Sequence, residues 1–203
     1  MRRNLWIYLA GLAVLLFAWG CKKGSVIPPE ESEYTLEELI QQGWEAFEQG
    51  QYLTARDRFD RAWEKNPLEV EVYNGLGWSY FKLDSLEQAA RQFHICYCLF
   101  DTTADVAAGW AFVLNAQKYY EASNEKAAQA LALNAAWAFT HALPLDVKDL
   151  RLLKAENYYL LGNFTQSLAE VKILNPAFPL TTVASDLDRA ELAAEIERLK
   201  GIV

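Results

Sequence analysis

His94-x-Cys96-x-Cys98 is where soft metal ligands crowd together in this chain. On a helix, His94 and Cys98 share a face one turn apart, while Cys96 points almost opposite. One helix then supplies two ligands, too few for a closed zinc site, and the only other histidine is His141. Packing is the better reading of these residues, and no metal or other cofactor is expected. The parts of an enzyme are missing too. There is no Gly-rich phosphate loop, no Ser or Cys beside a plausible base, and no His-Glu zinc helix. Acidic pairs such as Glu37–Glu38 and Asp57–Asp60 belong on solvated faces. What does recur is a dipeptide: Gly43-Trp44, Gly77-Trp78 and Gly109-Trp110. Large aromatic rings set beside glycine suit recognition rather than bond-making.

These residues sit in 203 that are 52% hydrophobic, 13% aromatic and 23% charged, with 6 Pro and 10 Gly. Such a balance excludes a disordered or collagen-like chain and leaves ample material for a core. The net charge of −8 argues against nucleic acid as a partner.

The first twenty residues stand apart. Arg2 and Arg3 precede an uncharged run from Leu5 to Trp19, shorter than the ~20 residues a membrane span needs. The run closes Phe17-Ala18-Trp19-Gly20-Cys21, then Lys22-Lys23. This layout resembles the signal and lipobox of bacterial lipoproteins, which implies cleavage before Cys21 and acylation of that residue. The alternative is an uncleaved signal anchor with Cys21 an ordinary thiol. Lys22 in place of Asp implies the outer membrane, with the body facing the periplasm. Cleavage would take Arg2 and Arg3 from the 19 basic residues and none of the 27 acidic ones, giving −10. Acyl chains, not charge, must then hold the chain at a membrane. Residues 21–34 mix Gly, a Pro pair and three Glu without a period, so they read as a tether. Its thirteen residues after Cys21 reach ~40 Å when extended. Both thiols of the 94–98 cluster are expected to be buried, because exported chains meet an oxidising compartment.

Residues 35–179 carry an internal repeat. At an offset of 34, Leu39 falls on Tyr73, Gly43 on Gly77, Trp44 on Trp78, Ala55 on Ala89 and Phe59 on Phe93. Gly50, Tyr52, Ala62 and Pro67 complete the first unit. A further unit is carried by Ala155, Tyr158, Gly162, Phe164, Leu174 and Pro179, which answer in order to Gly43, Ala46, Gly50, Tyr52, Ala62 and Pro67. Three periods between them leave ten residues over. They are assigned to the third unit, which is taken to begin at Gly109-Trp110. Its second helix is expected to be lengthened, capped by Asn124, rich in alanine to Ala136 and closed by Trp137 and Phe139 before Pro144.

Tyr73-x-x-Leu76-Gly77-x-x-Tyr80 with Ala89 and Phe93 resembles the tetratricopeptide repeat. The resemblance implies an all-α, right-handed solenoid of about four helix pairs. Residues 180–203 follow as a loop and a capping helix, opened by Ser185 and Asp188 and carrying a Leu192, Ile196, Leu199 stripe. It also implies that the residue after each Gly lines the concave face, as does the one three places later. The expected groove is therefore Ile40, Trp44, Phe47, Trp78, Phe81, Trp110 and Val113, with Tyr159 beside Glu156 in the fourth unit. A partner protein or peptide segment of the cell envelope would dock there, without catalysis. The basic clamp by which some relatives hold acidic tails is replaced by Ile40, Trp44, Asn74 and Trp78. Two other readings stay open: the Trp residues form core in a purely structural subunit whose groove is filled by its own Trp or loop, or they stack a hydrophobic or sugar ligand in a carrier.

Overall fold

The computed structural model of the protein describes residues 34–202; the signal segment, Cys21 and most of the tether lie outside them. Among the described residues the structure is all helix. Four pairs follow one another: α1 (Leu36–Glu48) with α2 (Tyr52–Lys65), α3 (Val70–Lys82) with α4 (Leu86–Leu99), α5 (Ala104–Ala116) with α6 (Tyr120–Leu133), and α7 (Val147–Leu160) with α8 (Phe164–Leu174). The helix α9 (Asp186–Lys200) closes the series. Each helix packs on the next, and each first helix also packs on the first helix of the following pair. The arrangement is that of a solenoid with α9 in the place of a fifth first helix.

Local chemistry sets the boundaries. Thr35 with Glu38, Asp146 with Asp149, and Ser185 with Asp188 form capping boxes, satisfying backbone N–H groups at both ends of the box. Within every pair the turn places one residue in the left-handed region: Gly50 (φ 73°), Asp84 (φ 56°), Lys118 (φ 66°) and Gly162 (φ 75°). The residue after it returns an N–H to the carbonyl four positions before that left-handed residue, as Gln51 does to Ala46 and Tyr119 to Leu114. The second helices α2, α6 and α8 stop at an asparagine. Asn66, Asn134 and Asn175 each accept on Oδ1 from the backbone N–H two residues on.

That last device overturns three expectations. Asn134 ends α6 at Leu133, so α6 has the same 14 residues as α2 and α4 and is not lengthened. Asn124 lies inside α6 and is buried rather than capping it. In the fourth unit Asn175-Pro176 stops α8 one turn before the position aligned with Pro67, so Pro179 is not the terminating proline. The surplus residues form an irregular strap, 134–146, between α6 and α7.

Glycine makes the stacking possible. The ring of Phe59 fits between Gly43 on its own first helix and Gly75 on the next; Phe93 fits identically between Gly77 and Gly109. An added Cβ at any of the four would come within 3.0 Å of the ring. Gly109 is thus the counterpart of Gly75, one period earlier, and not of Gly77. The third Gly-Trp is two residues out of register. Cys96 is buried in the small-residue position, as expected, but Cys98 is exposed on the far side of the same helix.

A groove filled by its own strap

Residues in register with Trp44 form the face that matters. Trp44 and Trp78 point from α1 and α3 to one side, and Phe112, one period after Trp78, continues the row on α5. Phe47 and Phe81 stand one turn further along. Trp44, Phe47 and Trp78 are buried, at 6%, 2% and 0% exposure, and Ile40 and Phe81 are half-buried beside them. The row thus contains the residues expected from α1 and α3.

Two expected members lie elsewhere. Trp110 is rotated off the row by its two-residue displacement. It packs between α4 and α6, edge-on to Tyr97 at 5.4 Å, with the Lys126 ammonium 4.4 Å from its ring centroid. Val113 corresponds to Ser79, not Phe81, and is wholly buried between helices. Tyr159 does occupy the matching position on α7. There it lines, with Glu156, Ala193 and Ile196, a cleft of about 140 Å³ that α9 closes from the other side. Cys21 lies outside the described residues. No group of three or more potential metal ligands occurs among the described residues.

What covers Trp44 and Trp78 is the strap. Its residues alternate strictly: Trp137 and Phe139 are buried, Ala138 and Thr140 exposed, and His141 is half-buried. That is the period of an extended strand laid on a surface. Phe139 sits at the centre of an aromatic cluster, with centroid distances of 4.3 Å to Trp78, 6.0 Å to Trp44 and 6.1 Å to Phe47. The His141 imidazole lies flat on Trp44, 3.7 Å away and 4° from parallel. The strap closes on itself through Phe139 N–H donating to the Leu145 carbonyl at 2.8 Å, with Ala142 left-handed at its tip (φ 55°).

Carboxylates line the rim. Trp137 Nε1 donates to Asp105 at 2.5 Å, and Trp44 Nε1 donates to Glu71 at 2.7 Å. His141 Nδ1 lies 3.0 Å from Glu48. Glu71 and Asp105 are one period apart and so occupy one register position on α3 and α5. Burial pushes the Glu71 carboxyl above its ordinary value, Trp44 and His141 pull it back, and nearby Asp105 raises it further. Trp78 Nε1 and Asn74 Oδ1, on α3, are buried without a hydrogen-bond partner.

Sequence reasoning missed Phe112, Phe139, His141, Glu71 and Asp105. Strict counting by the repeat period finds Phe112, Glu71 and Asp105. The alternation Trp137-x-Phe139-x-His141 is a strand signal, not the end of a helix.

No family model matches the sequence, and no curated protein is similar to it. Solved structures are. YrrB, described as a TPR protein with an unusual peptide-binding site, superposes with a TM-score of 0.64 at 14% identity, over 83% of this chain and 88% of that one. MamA AMB-1 gives 0.58 at 14% identity, covering 76% of this chain and 79% of that one. The pilF protein of Pseudomonas aeruginosa gives 0.57 at 19% identity, covering 79% and 67%. The fold is a tetratricopeptide solenoid. Within it, the row of Trp44, Trp78 and Phe112 lies on the first helices α1, α3 and α5.

Proposed function

We propose that the protein is a non-catalytic interaction scaffold of the bacterial cell envelope that docks an extended segment of a partner protein along its concave face. The observation that carries this reading is the seating of residues 137–141 on Trp44 and Trp78. A face that grips one extended aromatic stretch has the shape and chemistry to grip another. The peptide-binding description of YrrB, which shares the fold, lends support. Affinity capture tests it: changing Trp44 and Trp78 to Ala should remove the captured envelope partner while helix content is kept. An unchanged partner list would end the proposal.

The envelope part rests on the sequence. A basic start, a short apolar run and Cys21 support a lipid anchor, and Lys22 supports the outer membrane, facing the periplasm. No helix among the described residues is long and apolar enough to cross a membrane. Cys21→Ser should shift the protein from the membrane fraction and abolish incorporation of labelled fatty acid; retention of the label would refute it.

The strap itself favours a second reading, a structural subunit whose groove is permanently self-filled. A carrier of small ligands needs Trp44 and Trp78 open, and they are covered. The two protein-binding readings part on whether the strap can leave.

A further inference from the structure

The concave face holds its strap by side chains alone. Among the described residues, no backbone hydrogen bond joins residues 134–146 to α1, α3 or α5; the strap's backbone bonds are internal, as between Phe139 and Leu145, or cap α6 and α7 at its two ends. Besides the ring contacts, two polar side-chain contacts pin it, Trp137 to Asp105 and His141 to Glu48. Phe139 and His141 otherwise rest on Trp78 and Trp44 by ring contact alone. The tip adds a left-handed alanine, a conformation costly for a residue with a Cβ.

We infer that residues 137–141 are a resident competitor for the groove, and that they yield to a partner segment with two aromatic side chains two residues apart and a cationic or donor residue two further on. The inference rests on the docking function proposed above and names its ligand class and its gate. Aromatic spacing follows from the alternation of Trp137 and Phe139. The cationic position follows from His141, which lies 3.0 Å from Glu48, while Glu71 and Asp105 line the same wall. Acidic segments are refused by the same three carboxylates.

The experiment uses the full-length protein in detergent and a fluorescent synthetic peptide with the sequence of residues 135–146. Binding is read by anisotropy to the wild type and to the W137A/F139A variant, whose strap has lost its two buried rings. The variant should bind the peptide at least tenfold tighter than the wild type, and a peptide with Glu in place of its His should bind at least tenfold weaker. Equal affinity of wild type and variant overturns the gate while leaving the docking function standing. A variant that keeps its helix content, opens to protease within 138–146 and binds no peptide overturns the docking function and the gate together. Equal binding of the His and Glu peptides overturns the assigned ligand class. Should the variant fail to fold, the wild type decides: saturating peptide must create new chymotrypsin cleavage near Leu143, and its absence overturns the gate.

Discussion

The junctions between successive pairs are built in two ways. Between the first and second pairs, and again between the second and third, a phenylalanine ring from the second helix enters a notch made by two glycines. Between the third and fourth pairs that chemistry is inverted. Ala127 stands where Phe59 and Phe93 stood, and Leu153 stands where Gly75 and Gly109 stood. The bulk has crossed the interface. Beside it lies a buried polar chain: Asn115 donates to Asn157, which donates to both Ser123 and Asn124, and Ser123 donates to the Ala111 carbonyl. Apolar volume can come from either helix, so the spacing of the solenoid survives. Directional bonds fix one arrangement, so the third junction is the one that specifies register. It is also where the strap leaves the solenoid.

The largest test exchanges one chemistry for the other. Phe93→Ala should cost ~3–5 kcal/mol, the usual toll for emptying a buried aromatic site. Gly109→Leu alone should also be destabilising, because its Cβ already meets the Phe93 ring. Together the two recreate the Ala127 and Leu153 arrangement and should recover a large part of the loss. Urea unfolding of the four species in a double-mutant cycle reads the coupling. Strict additivity would show that the junctions are not equivalent solutions.

The reverse test acts on the polar junction. Asn157→Val places there the residue that Val113 supplies one pair earlier; it strands Asn115 and Asn124 and leaves Ser123 only its bond to the Ala111 carbonyl. A loss of ~2–3 kcal/mol is expected from several buried groups left unpaired. Adding Asn124→Ala should restore much of it, since removing both partners is far cheaper than removing one. If the single variant is neutral by urea titration, the network is filler and not a register device.

The aromatic junctions were legible in the sequence because they repeat. Gly43, Gly77, Phe59 and Phe93 announce the period, and helix pairs, cap and the burial of Cys96 follow from it. The third Gly-Trp misleads because its identity and its register disagree. The pair looks like its two predecessors, but a shift of two residues turns a helix side chain by more than half a circle. The polar junction was illegible for a different reason. Asn115, Ser123, Asn124 and Asn157 are scattered along the chain, and nothing but tertiary packing brings them together. For the strap the signals were present but discordant: alanines favoured a helix, while Asn134 and the alternation of Trp137 and Phe139 opposed it.

A smaller effect belongs to the aromatic half. The Glu71 carboxyl is held above its ordinary value of 4.5, chiefly by burial. The folded state therefore binds its proton more tightly than the unfolded chain does. The stability this contributes is complete below about pH 4.5 and is lost as the pH climbs through the raised value. Glu71→Gln keeps an acceptor for Trp44 Nε1 and carries no charge. Its urea midpoint should match the wild type near pH 4 and exceed it at pH 7. A variant less stable at pH 7 would mean that the charge, through His141 and the strap, stabilises more than its burial costs.

The smallest effect marks where the contrast between the halves ends. Asp84 and Lys118 serve the second and third pairs at one turn position, both left-handed, where the first and fourth pairs use glycine. A side chain in that conformation is disfavoured by crowding between its Cβ and the backbone, whichever junction lies nearby. Asp84→Gly and Lys118→Gly should each stabilise, and by nearly equal amounts of ~0.5–1 kcal/mol, after the entropy glycine adds to the unfolded chain is set against the relieved strain. Equal gains would confine the difference between the halves to their interfaces and leave the helical hairpin as a common unit. A clear inequality, measured by thermal unfolding of both variants, would show that the junction chemistry reaches back into the turns and that the pairs are not interchangeable bodies.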